Sequence, residues 1–426
     1  MKEAFLYHIW RMKLLDLKEL KTFHGSYLEI INFGQLNQLS GPDFYHSEVY
    51  IGNQLWAGCI EMHVNSSDWD LHQHSSDVAY HNVILHVVWN HDKEIDFLRS
   101  RNVETLVLKD FVSKEVIFNY EQILNHTKDS IPCKKLIKAA TIDWDKLKFW
   151  FDGLLIDRLR VKSEVILKQY ENCLNNWEEV LFKSLALTFG LKINQSAFEI
   201  WANSFPFAVI QKIQSNPLQI EALFLGQAGF LAQKSEDIYV KSLQTEYKFI
   251  QHKYNLSPIE SSIFKFYSLR PHGYPTIRLA QLASIYSVKI PLFSSIMQLQ
   301  NKKEIEDFFR QFMPYHFWKT HFVLDKESKS SDKLISLSKI DNIIINTIIP
   351  LRFSYQLIID QLDVDFYLEL LEALKPENNS TIKSYKELGF PILSAKDSQV
   401  VLHLKKYYCD EKKCVNCALG AEVLKP

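Results

Sequence analysis

The chain has 426 residues, of which 47% are hydrophobic and 23% are charged, a length sufficient for two or three domains. Its 28 Phe, 19 Tyr and 9 Trp argue against disorder, while only 12 Gly and 13 Pro exclude collagen-like and low-complexity chains. No apolar run approaches the ~20 residues that cross a bilayer, and the first residues form an amphipathic pattern rather than a signal peptide. These features predict a soluble globular protein without a membrane partner.

The formal net charge of −1 conceals an uneven distribution. Residues 1–130 hold 11 Lys and Arg against 18 Asp and Glu, a balance of −7, whereas the remainder holds 38 against 32, a balance of +6. Ten of the 15 histidines also lie in residues 1–130. Carboxylates and imidazoles concentrated together are typical of a divalent metal site. The mild positive charge elsewhere leaves nucleic-acid binding open without requiring it.

The first part of the chain shows the patterns of a mixed α and β domain. A helix is predicted over residues 3–15, with an apolar stripe that includes Phe5 and Trp10. Extended segments are predicted at 27–33, 43–51, 55–64, 82–90 and 105–108. Gly52-Asn53-Gln54 is typical of a hairpin turn, and the apolar run at 82–90 is typical of a strand buried on both faces, in which His86 is interpreted as a core histidine. With a short helix or structured loop before that strand, the predicted order is α-β-β-β-α-β.

From about residue 143 the apolar residues recur with a helical period. This pattern predicts an all-helical domain over 140–400, with a surface loop at 326–333, followed by a cysteine-rich tail over 401–426. The predicted fold class is therefore α+β, in which an N-terminal αβββαβ domain over 1–130 precedes a large all-α domain.

Asp43, Glu61 and His63 occupy matched positions on the two arms of the predicted hairpin. Because side chains alternate along a strand, Glu61 and His63 share one face, and Asp43 begins the partner strand beside them. Two carboxylates on adjacent strands offer the oxygen ligands that Mg²⁺ or Mn²⁺ prefers. A third group two residues further along can orient the attacking water, so the pattern predicts a metal site for phosphodiester hydrolysis.

This arrangement resembles the PD-(D/E)XK nuclease superfamily, whose pattern is Pro-Asp, a hairpin and then acid-x-Lys in an αβββαβ core. Here Pro42-Asp43 is followed by seventeen residues and then by Glu61-Met62-His63, and the resemblance covers about the first 110 residues. It implies Asp43 and Glu61 as metal ligands, with the main-chain carbonyl of Met62 as a further ligand. His63 stands where the superfamily usually has lysine, so a catalytically inactive nuclease-like scaffold that binds nucleic acid or protein is the alternative.

The whole chain also resembles an uncharacterised bacterial family, a domain of unknown function, with the sequence words GPDF, EIHV, SDW, HxH and a closing C-x4-C-x2-C. These words occur here at Gly41–Phe44, Glu61–Val64 (as EMHV), Ser67–Trp69, His72–His74 and Cys409–Cys417. This resemblance implies a shared fold and assigns no reaction.

A polar segment rich in histidine follows the hairpin. A helix over 72–81 would place His74, Asp77 and His81 on one face, where His74 and Asp77 are candidates for auxiliary contacts to phosphate or water. A zinc hydrolase site formed by His63, His72 and His74, with water as the fourth ligand, is an alternative chemistry. A loop that folds against the sheet through ordinary hydrogen bonds is the alternative without a metal.

The cysteines form the second chemical signal. Six cysteines are too few for a disulfide-stabilised chain of this length, which favours a reducing cytoplasm. Cys409, Cys414 and Cys417 have a spacing that suits a zinc ion or an iron–sulfur cluster, and either needs a fourth ligand. Cys133 or His403 could supply it, and some nuclease-like proteins do join a distant cysteine to a C-terminal trio around an iron–sulfur cluster. Three reduced thiols in a tail are the alternative.

Arg270 and Arg278 flank an irregular turn that leads into a helix predicted to begin at Pro275 or Thr276. A helix N-terminus with two nearby arginines would bind phosphate well. A capped turn whose arginines pair with carboxylates is the alternative.

The leading hypothesis from the sequence is a metal-dependent nuclease that hydrolyses DNA or RNA, with Mg²⁺ or Mn²⁺ at Asp43 and Glu61. His63 would position the attacking water, and the helical domain would bind or guide the nucleic acid. The inactive scaffold and the zinc hydrolase are the two alternatives.

Overall fold

The computed structural model describes residues 2–37, 39–125, 131–267 and 269–425. The chain divides into two compact units, of which the first comprises Met1–Phe151, Asn379–Pro391 and Val401–Pro426. The second unit comprises Asp152–Asn378 and Ile392–Val400. A mixed sheet near the N-terminus followed by a large helical region confirms the α+β class. The predicted domain boundary at residue 130 adjoins residues 126–130, which lie outside the described residues.

The first unit contains a six-stranded mixed sheet. Its strands are β1 (Leu28–Asn32), β2 (Gln35–Leu36), β3 (Phe44–Ile51), β4 (Gln54–Asn65), β5 (Val83–Asn90) and β6 (Glu104–Val107). The order across the sheet is β1-β3-β4-β5-β6, with β2 paired to β3. The pairs of β3 with β1, β2 and β4 are antiparallel, whereas β4–β5 and β5–β6 are parallel.

The sequence explains the central part of this sheet. Ile51 pairs with Gln54, so Gly52 and Asn53 close the β3–β4 hairpin as predicted, and the positive φ of 59° at Gly52 suits a glycine. Strand β5 lies between two parallel neighbours, and its first six residues are buried. Its nearly continuous apolar sequence reflects that position, because strands in parallel surroundings are covered on both faces.

The first unit also contains helices, some of which belong to the C-terminal segment. They are α1 (Glu3–Met12), α2 (Asp68–Leu71), α3 (Asp96–Ser100), α4 (Lys114–Asn125), α5 (Lys134–Ala139), the start of α6 (Trp144–Asn172), α17 (Ser380–Lys386), the end of α18 (Ala395–Leu404) and α19 (Ala418–Leu424). Of these, α1 and α2 contact strand β4. Phe5 and Trp10 of α1 are fully buried, as the apolar stripe predicts. The ring of Tyr7 meets that of Phe44, the first residue of β3, edge-on at 6.0 Å. Helix α1 therefore packs over the start of β3, next to Asp43.

The described residues of the second unit are mainly helical, with one small hairpin among them. Its remaining helices are α7 (Trp177–Asn203), α8 (Phe207–Ile213), α9 (Pro217–Gln227), α10 (Ile238–Tyr254), α11 (Pro275–Tyr286), α12 (Leu292–Gln298), α13 (Lys302–Arg310), α14 (Leu337–Ile343), α15 (Ile349–Ile358) and α16 (Val364–Glu372). Strands β7 (His321–Val323) and β8 (Lys326–Glu327) form an antiparallel pair. The prediction that 140–400 is entirely helical and that 326–333 is only a loop is therefore wrong at this hairpin, since two or three residues per strand are too few to show a period.

Within the described residues, no helix combines the length and the apolar character needed to cross a membrane.

Close helix packing in the second unit depends on a glycine. A Cβ atom added at Gly226 of α9 would overlap the ring of Tyr247 on α10, and both residues are buried. Gly153 in α6, in contrast, has no heavy atom near the position that its Cβ would take. Gly226 and Gly153 therefore have the same helical backbone conformation and differ in the space that surrounds them.

We expect Gly226→Ala to lower the stability of the protein by about 1–3 kcal/mol, because the added methyl group overpacks the α9–α10 contact. Gly153→Ala is the matched control and should leave stability unchanged or raise it by up to ~1 kcal/mol through helix propensity. Thermal and urea unfolding followed by circular dichroism measure both effects. Similar changes of one sign in both variants would contradict the packing described here.

Candidate metal centre

The β3–β4 pairing brings Asp43 and Glu61 together. Phe44 pairs with Ile60, so the preceding residue Asp43 lies opposite Glu61. The backbone N–H of Asp43 donates to Glu61 Oε2 at 3.1 Å, and the backbone N–H of Met62 donates to Asp43 Oδ2 at 2.8 Å. Each carboxyl group is therefore held by the backbone of the opposite strand, in the arrangement that the hairpin predicts.

Helix α1 completes the surroundings of Asp43. The Tyr7 hydroxyl donates to Asp43 Oδ1 at 2.8 Å, so both oxygens of this carboxyl group accept a hydrogen bond within the protein. The sequence pattern does not indicate that Tyr7 belongs to this site. Tyr7 lies in an amphipathic helix, and the residues around it are explained by the apolar stripe of that helix. The contact depends on where α1 packs.

Three histidines converge beside Glu61. His63 lies on β4 two residues after Glu61, His72 follows α2, and His74 begins the short 3₁₀ helix His74–Ser76. One ligand nitrogen from each imidazole can be chosen so that all three lie within 4.8 Å of one another. His63 and His74 are buried and His72 is exposed, so one side of the set reaches the protein surface.

Glu61 adjoins this set of histidines through its second carboxylate oxygen. Glu61 Oε1 lies 3.5 Å from His63 Nε2 and 3.3 Å from His74 Nε2, while His63 Nε2 lies 3.2 Å from His72 Nδ1. The structure therefore gathers one carboxylate oxygen and three imidazoles, which are ligands that zinc accepts.

His86 contacts the second ring nitrogen of His63, Nδ1, and so orients its imidazole. His63 Nδ1 lies 2.9 Å from His86 Nε2 across the parallel β4–β5 pair. His86 is fully buried, as predicted for a core histidine, but its contact with His63 was not foreseen. Such a partner on the second ring nitrogen fixes the orientation of a metal-binding imidazole. His86 pairs with Glu61 on the neighbouring strand. Because side chains alternate along β5, this period of two could have indicated that His86 lies on the same face of the sheet as Glu61 and His63.

Aromatic rings enclose the histidines. The fully buried Trp69 has its ring centroid 5.3 Å from those of His74 and His86. Its indole N–H donates to Ser75 Oγ at 3.0 Å, and Tyr80 stacks on His74 at 3.8 Å. Trp69 of the SDW word therefore packs on His74 of the HxH word, and this contact helps to hold His72 and His74 against the sheet.

Burial dominates the electrostatics of the site. Desolvation, with a smaller contribution from the charge of Glu61, raises the pKa of Asp43 to about 7, and desolvation raises the pKa of Glu61 to about 8. Burial, with the neighbouring imidazoles led by His86, lowers the pKa of His63 to about 2. Burial also lowers the pKa of His74. The imidazoles of His63 and His74 are thus neutral near pH 7 and have the free lone pair that a metal ligand requires.

The helix considered over 72–81 is not formed. Two short 3₁₀ helices, His74–Ser76 and Val78–Asn82, are separated by Asp77 in an extended conformation. Asp77 is exposed, and its Oδ1 accepts the backbone N–H of Ala79 at 2.9 Å. The sequence around Asp77 favours this local cap over a continuous helix, because Asp readily bonds nearby backbone N–H groups. His74 and Asp77 therefore do not share one helix face.

The two candidate phosphate-binding arginines lie in the second unit. Arg270 is exposed and precedes a 3₁₀ turn, Pro271–Gly273. Helix α11 begins at Pro275, as predicted, and the guanidinium of Arg278 donates to Gln281 Oε1 at 2.8 Å. Burial lowers the pKa of Arg278 to about 10, and the group stays charged near pH 7. A role for these arginines in phosphate binding stays a prediction.

The fold and this cluster together define a mixed α+β protein with a histidine- and carboxylate-rich candidate metal centre. Residues 3–380 match the model of the family described as "Protein of unknown function (DUF2851)", and the chain belongs to that family. The predicted membership of a domain-of-unknown-function family is thereby confirmed, and Asp43, Glu61 and the three histidines lie within the matched residues. Comparisons with curated proteins and with solved structures found no match.

Burial of the carboxyl groups predicts how stability varies with pH when metal is removed. From about pH 6.5 the unfolded chain has ionised Asp and Glu, whereas in the folded protein Asp43 and Glu61 lose their protons only as the pH rises through about 7 and about 8, respectively. The unfolded state then binds fewer protons, so stability falls as pH rises. The lowered histidine pKa values act mainly below about pH 6.5, where they have the opposite sign.

In the presence of a chelator, we expect Glu61→Gln to flatten this decline by about 1–2 kcal/mol between about pH 6.5 and 8.5. Urea unfolding at a series of pH values measures the slope. Glu48→Gln, which alters an exposed carboxylate on β3, serves as the control and should leave the slope unchanged. Stability of the metal-free wild type that rises over this range would refute the burial of the two carboxyl groups.

Proposed function

We propose that the first unit is a divalent-metal-dependent hydrolase in which His63, His72 and His74 bind one zinc ion. The observation that carries the proposal is the convergence of three imidazole nitrogens within 4.8 Å of one another. Around a tetrahedral zinc ion with Zn–N bonds of about 2.0–2.1 Å, neighbouring ligand nitrogens lie ~3.4 Å apart. The 3.2 Å between His63 Nε2 and His72 Nδ1 agrees with that spacing. Catalytic zinc sites commonly have three protein ligands and one position open to water.

Glu61 is the candidate general base of this centre. Its Oε1 lies within 3.5 Å of two of the proposed ligand imidazoles, where it could accept a proton from the attacking water or complete the ligand set. A bound zinc ion would supply Lewis-acid polarisation of the substrate and would acidify water. Asp43 acts as a positioning residue in this proposal, since its backbone N–H holds the other oxygen of Glu61.

Phosphodiester bonds of DNA or RNA are the substrate class that we propose. The support is the resemblance of Pro42-Asp43 and Glu61-Met62-His63 to the PD-(D/E)XK pattern, together with an antiparallel hairpin and a following parallel strand in one mixed sheet. A nuclease-like fold for the first unit is part of the same proposal.

A second candidate keeps the same reaction and changes the metal. Asp43 and Glu61 would bind Mg²⁺ or Mn²⁺, and His63 would orient the water. This candidate is favoured by the two linked carboxyl groups, whose burial raises both pKa values and would be offset by a divalent cation. Hard cations of this kind prefer oxygen ligands, whereas the three imidazoles favour zinc.

The deciding experiment removes metal from the full-length protein and restores Zn²⁺, Mg²⁺ or Mn²⁺ separately, with labelled single- and double-stranded DNA and RNA as substrates. We expect His72→Ala to weaken zinc binding by about tenfold or more and to lower hydrolysis by about a hundredfold. Glu61→Gln should lower the rate by a similar factor while zinc stays bound, because the base is lost. His46→Asn, at an exposed histidine of β3, is the control and should behave as wild type.

The outcomes separate the candidates. Activity with Mg²⁺ or Mn²⁺ that Asp43→Asn abolishes and His72→Ala preserves would select the carboxylate site instead of the zinc site. Salt-dependent nucleic-acid binding without turnover under any of the three ions would overturn the hydrolase proposal in favour of the inactive scaffold. Absence of both turnover and binding would remove nucleic acid as the substrate class.

A further inference from the structure

We infer that Cys133, Cys409, Cys414 and Cys417 bind a thiolate-coordinated metal centre, a zinc ion or an iron–sulfur cluster, that fastens the C-terminal segment to the sheet-containing unit. All four cysteines are buried, and none forms a disulfide. They line one small cavity inside the first unit. This site is separate from the histidine centre, and the inference does not depend on the proposed function.

The chemistry of the cavity selects the kind of ligand. Apart from the four sulfur atoms, its lining is aliphatic or aromatic, and it comprises Ile131, Tyr385, Leu404, Tyr408, Leu419 and Gly420. An apolar wall with several thiol groups offers little to a polar metabolite or to a hard cation. Thiolates are the ligands that select zinc and iron–sulfur clusters.

Three of the four cysteines lie on one short stretch of the chain, the cysteine turn Cys409–Cys417. Cys409 ends a π-helical turn, Lys405–Cys409, and Cys414 begins the 3₁₀ helix Cys414–Asn416. Cys417 immediately precedes α19, so its sulfur lies near the backbone N–H groups of Leu419 and Gly420 at the start of that helix. Burial raises the pKa of the Cys417 thiol to about 12, and these N–H groups offset part of that rise.

Gly420 permits this turn to close. A Cβ atom at that position would overlap the carbonyl group of Cys414. The first turn of α19 can therefore approach the 3₁₀ helix only because residue 420 is glycine. The sulfur of Cys409 also lies 3.0 Å from the Tyr385 hydroxyl, which further defines its position.

Cys133 is the fourth ligand that this geometry favours. It lies at the start of α5, far from the other three cysteines in the sequence, yet it lines the same cavity. His403, the alternative considered from the sequence, is buried in α18 with its ring 4.6 Å from that of Tyr407. A metal shared with Cys133 would join two distant parts of the chain and restrict the unfolded state accordingly.

The cysteine turn also touches the helix that serves the histidine centre. His8 Nδ1 of α1 lies 2.9 Å from the carbonyl oxygen of Val415, which lies between Cys414 and Cys417. The preceding residue, Tyr7, donates to Asp43. A metal bound by the cysteines would therefore help to hold α1 in place over Asp43.

The test measures zinc, iron and acid-labile sulfide in full-length protein purified without oxygen, with visible absorption as a second readout. It is made in the wild type and in His72→Ala, each dialysed against a mild chelator so that zinc bound weakly by the remaining histidines is removed. We expect His72→Ala to retain ~1 zinc per chain, or iron with matching sulfide and visible absorption. Zinc without sulfide identifies a zinc ion, and iron with sulfide identifies a cluster.

Cys414→Ser in the His72→Ala background should lose this metal almost completely, whereas Cys173→Ser, at a buried cysteine of the second unit, should retain it. If Cys414→Ser does not fold, the metal content of soluble His72→Ala protein decides by itself. His72→Ala that folds but contains neither zinc nor iron overturns the inference, as does folded His72→Ala/Cys414→Ser protein with undiminished metal.

Discussion

The candidate metal centre depends on a buried carboxyl group, Glu61, and a half-buried one, Asp43, at one end of the β3–β4 ladder. Burial of a carboxylate is costly unless hydrogen bonds or a cation compensate it. Two hydrogen bonds offset part of this cost, because Asp43 and Glu61 each accept a backbone N–H from the opposite strand. The register of the hairpin and the geometry of the site are therefore set by the same hydrogen bonds. The part of this cost that the hydrogen bonds leave uncompensated supports the proposal that a divalent cation binds this cluster.

Helix α1 links the two candidate metal sites of the first unit. Tyr7 donates to Asp43, and the next residue, His8, contacts the carbonyl of Val415 in the cysteine turn. Phe5 of the same helix stacks on Tyr120 of α4 with ring centroids 3.7 Å apart. One face of this ten-residue helix is thus buried in the core, while its polar side chains contact both candidate metal sites. Movement of α1 would alter the surroundings of Asp43 and of the cysteines together.

The second unit is organised by aromatic packing and by isolated buried polar groups. The rings of Trp201 and Phe224 meet edge-on at 4.9 Å, and the indole N–H of Trp201 donates to the Phe224 carbonyl at 3.1 Å. Glu221 is buried, and it accepts the indole N–H of Trp318 at 2.5 Å. The indole of Trp201 and the carboxyl group of Glu221 thereby have local partners, as buried polar groups generally do. This unit would bind or guide nucleic acid in the proposed function, and its part in that function stays a prediction.

Local patterns in the sequence were sufficient for the elements that depend on neighbouring residues. The extended segments at 43–51 and 55–64, the Gly52-Asn53-Gln54 turn and the apolar run of β5 predicted the hairpin and the buried strand. The period of two also placed Glu61 and His63 on one face, with Asp43 opposite. The short strands β7 and β8 and the division of residues 72–82 into two 3₁₀ helices were not predicted, because so few residues carry no period.

Only the tertiary structure decided which distant groups complete each site. Tyr7 reaches Asp43 because α1 packs over the start of β3, and His86 reaches His63 because β5 pairs with β4 in one particular parallel register. Cys133 joins the C-terminal cysteines in one cavity although a large helical unit separates them in the sequence. Periodicity fixes the face on which a side chain lies within its own element. The neighbour which that face meets is set by the packing of the whole unit, where many weak apolar contacts act together.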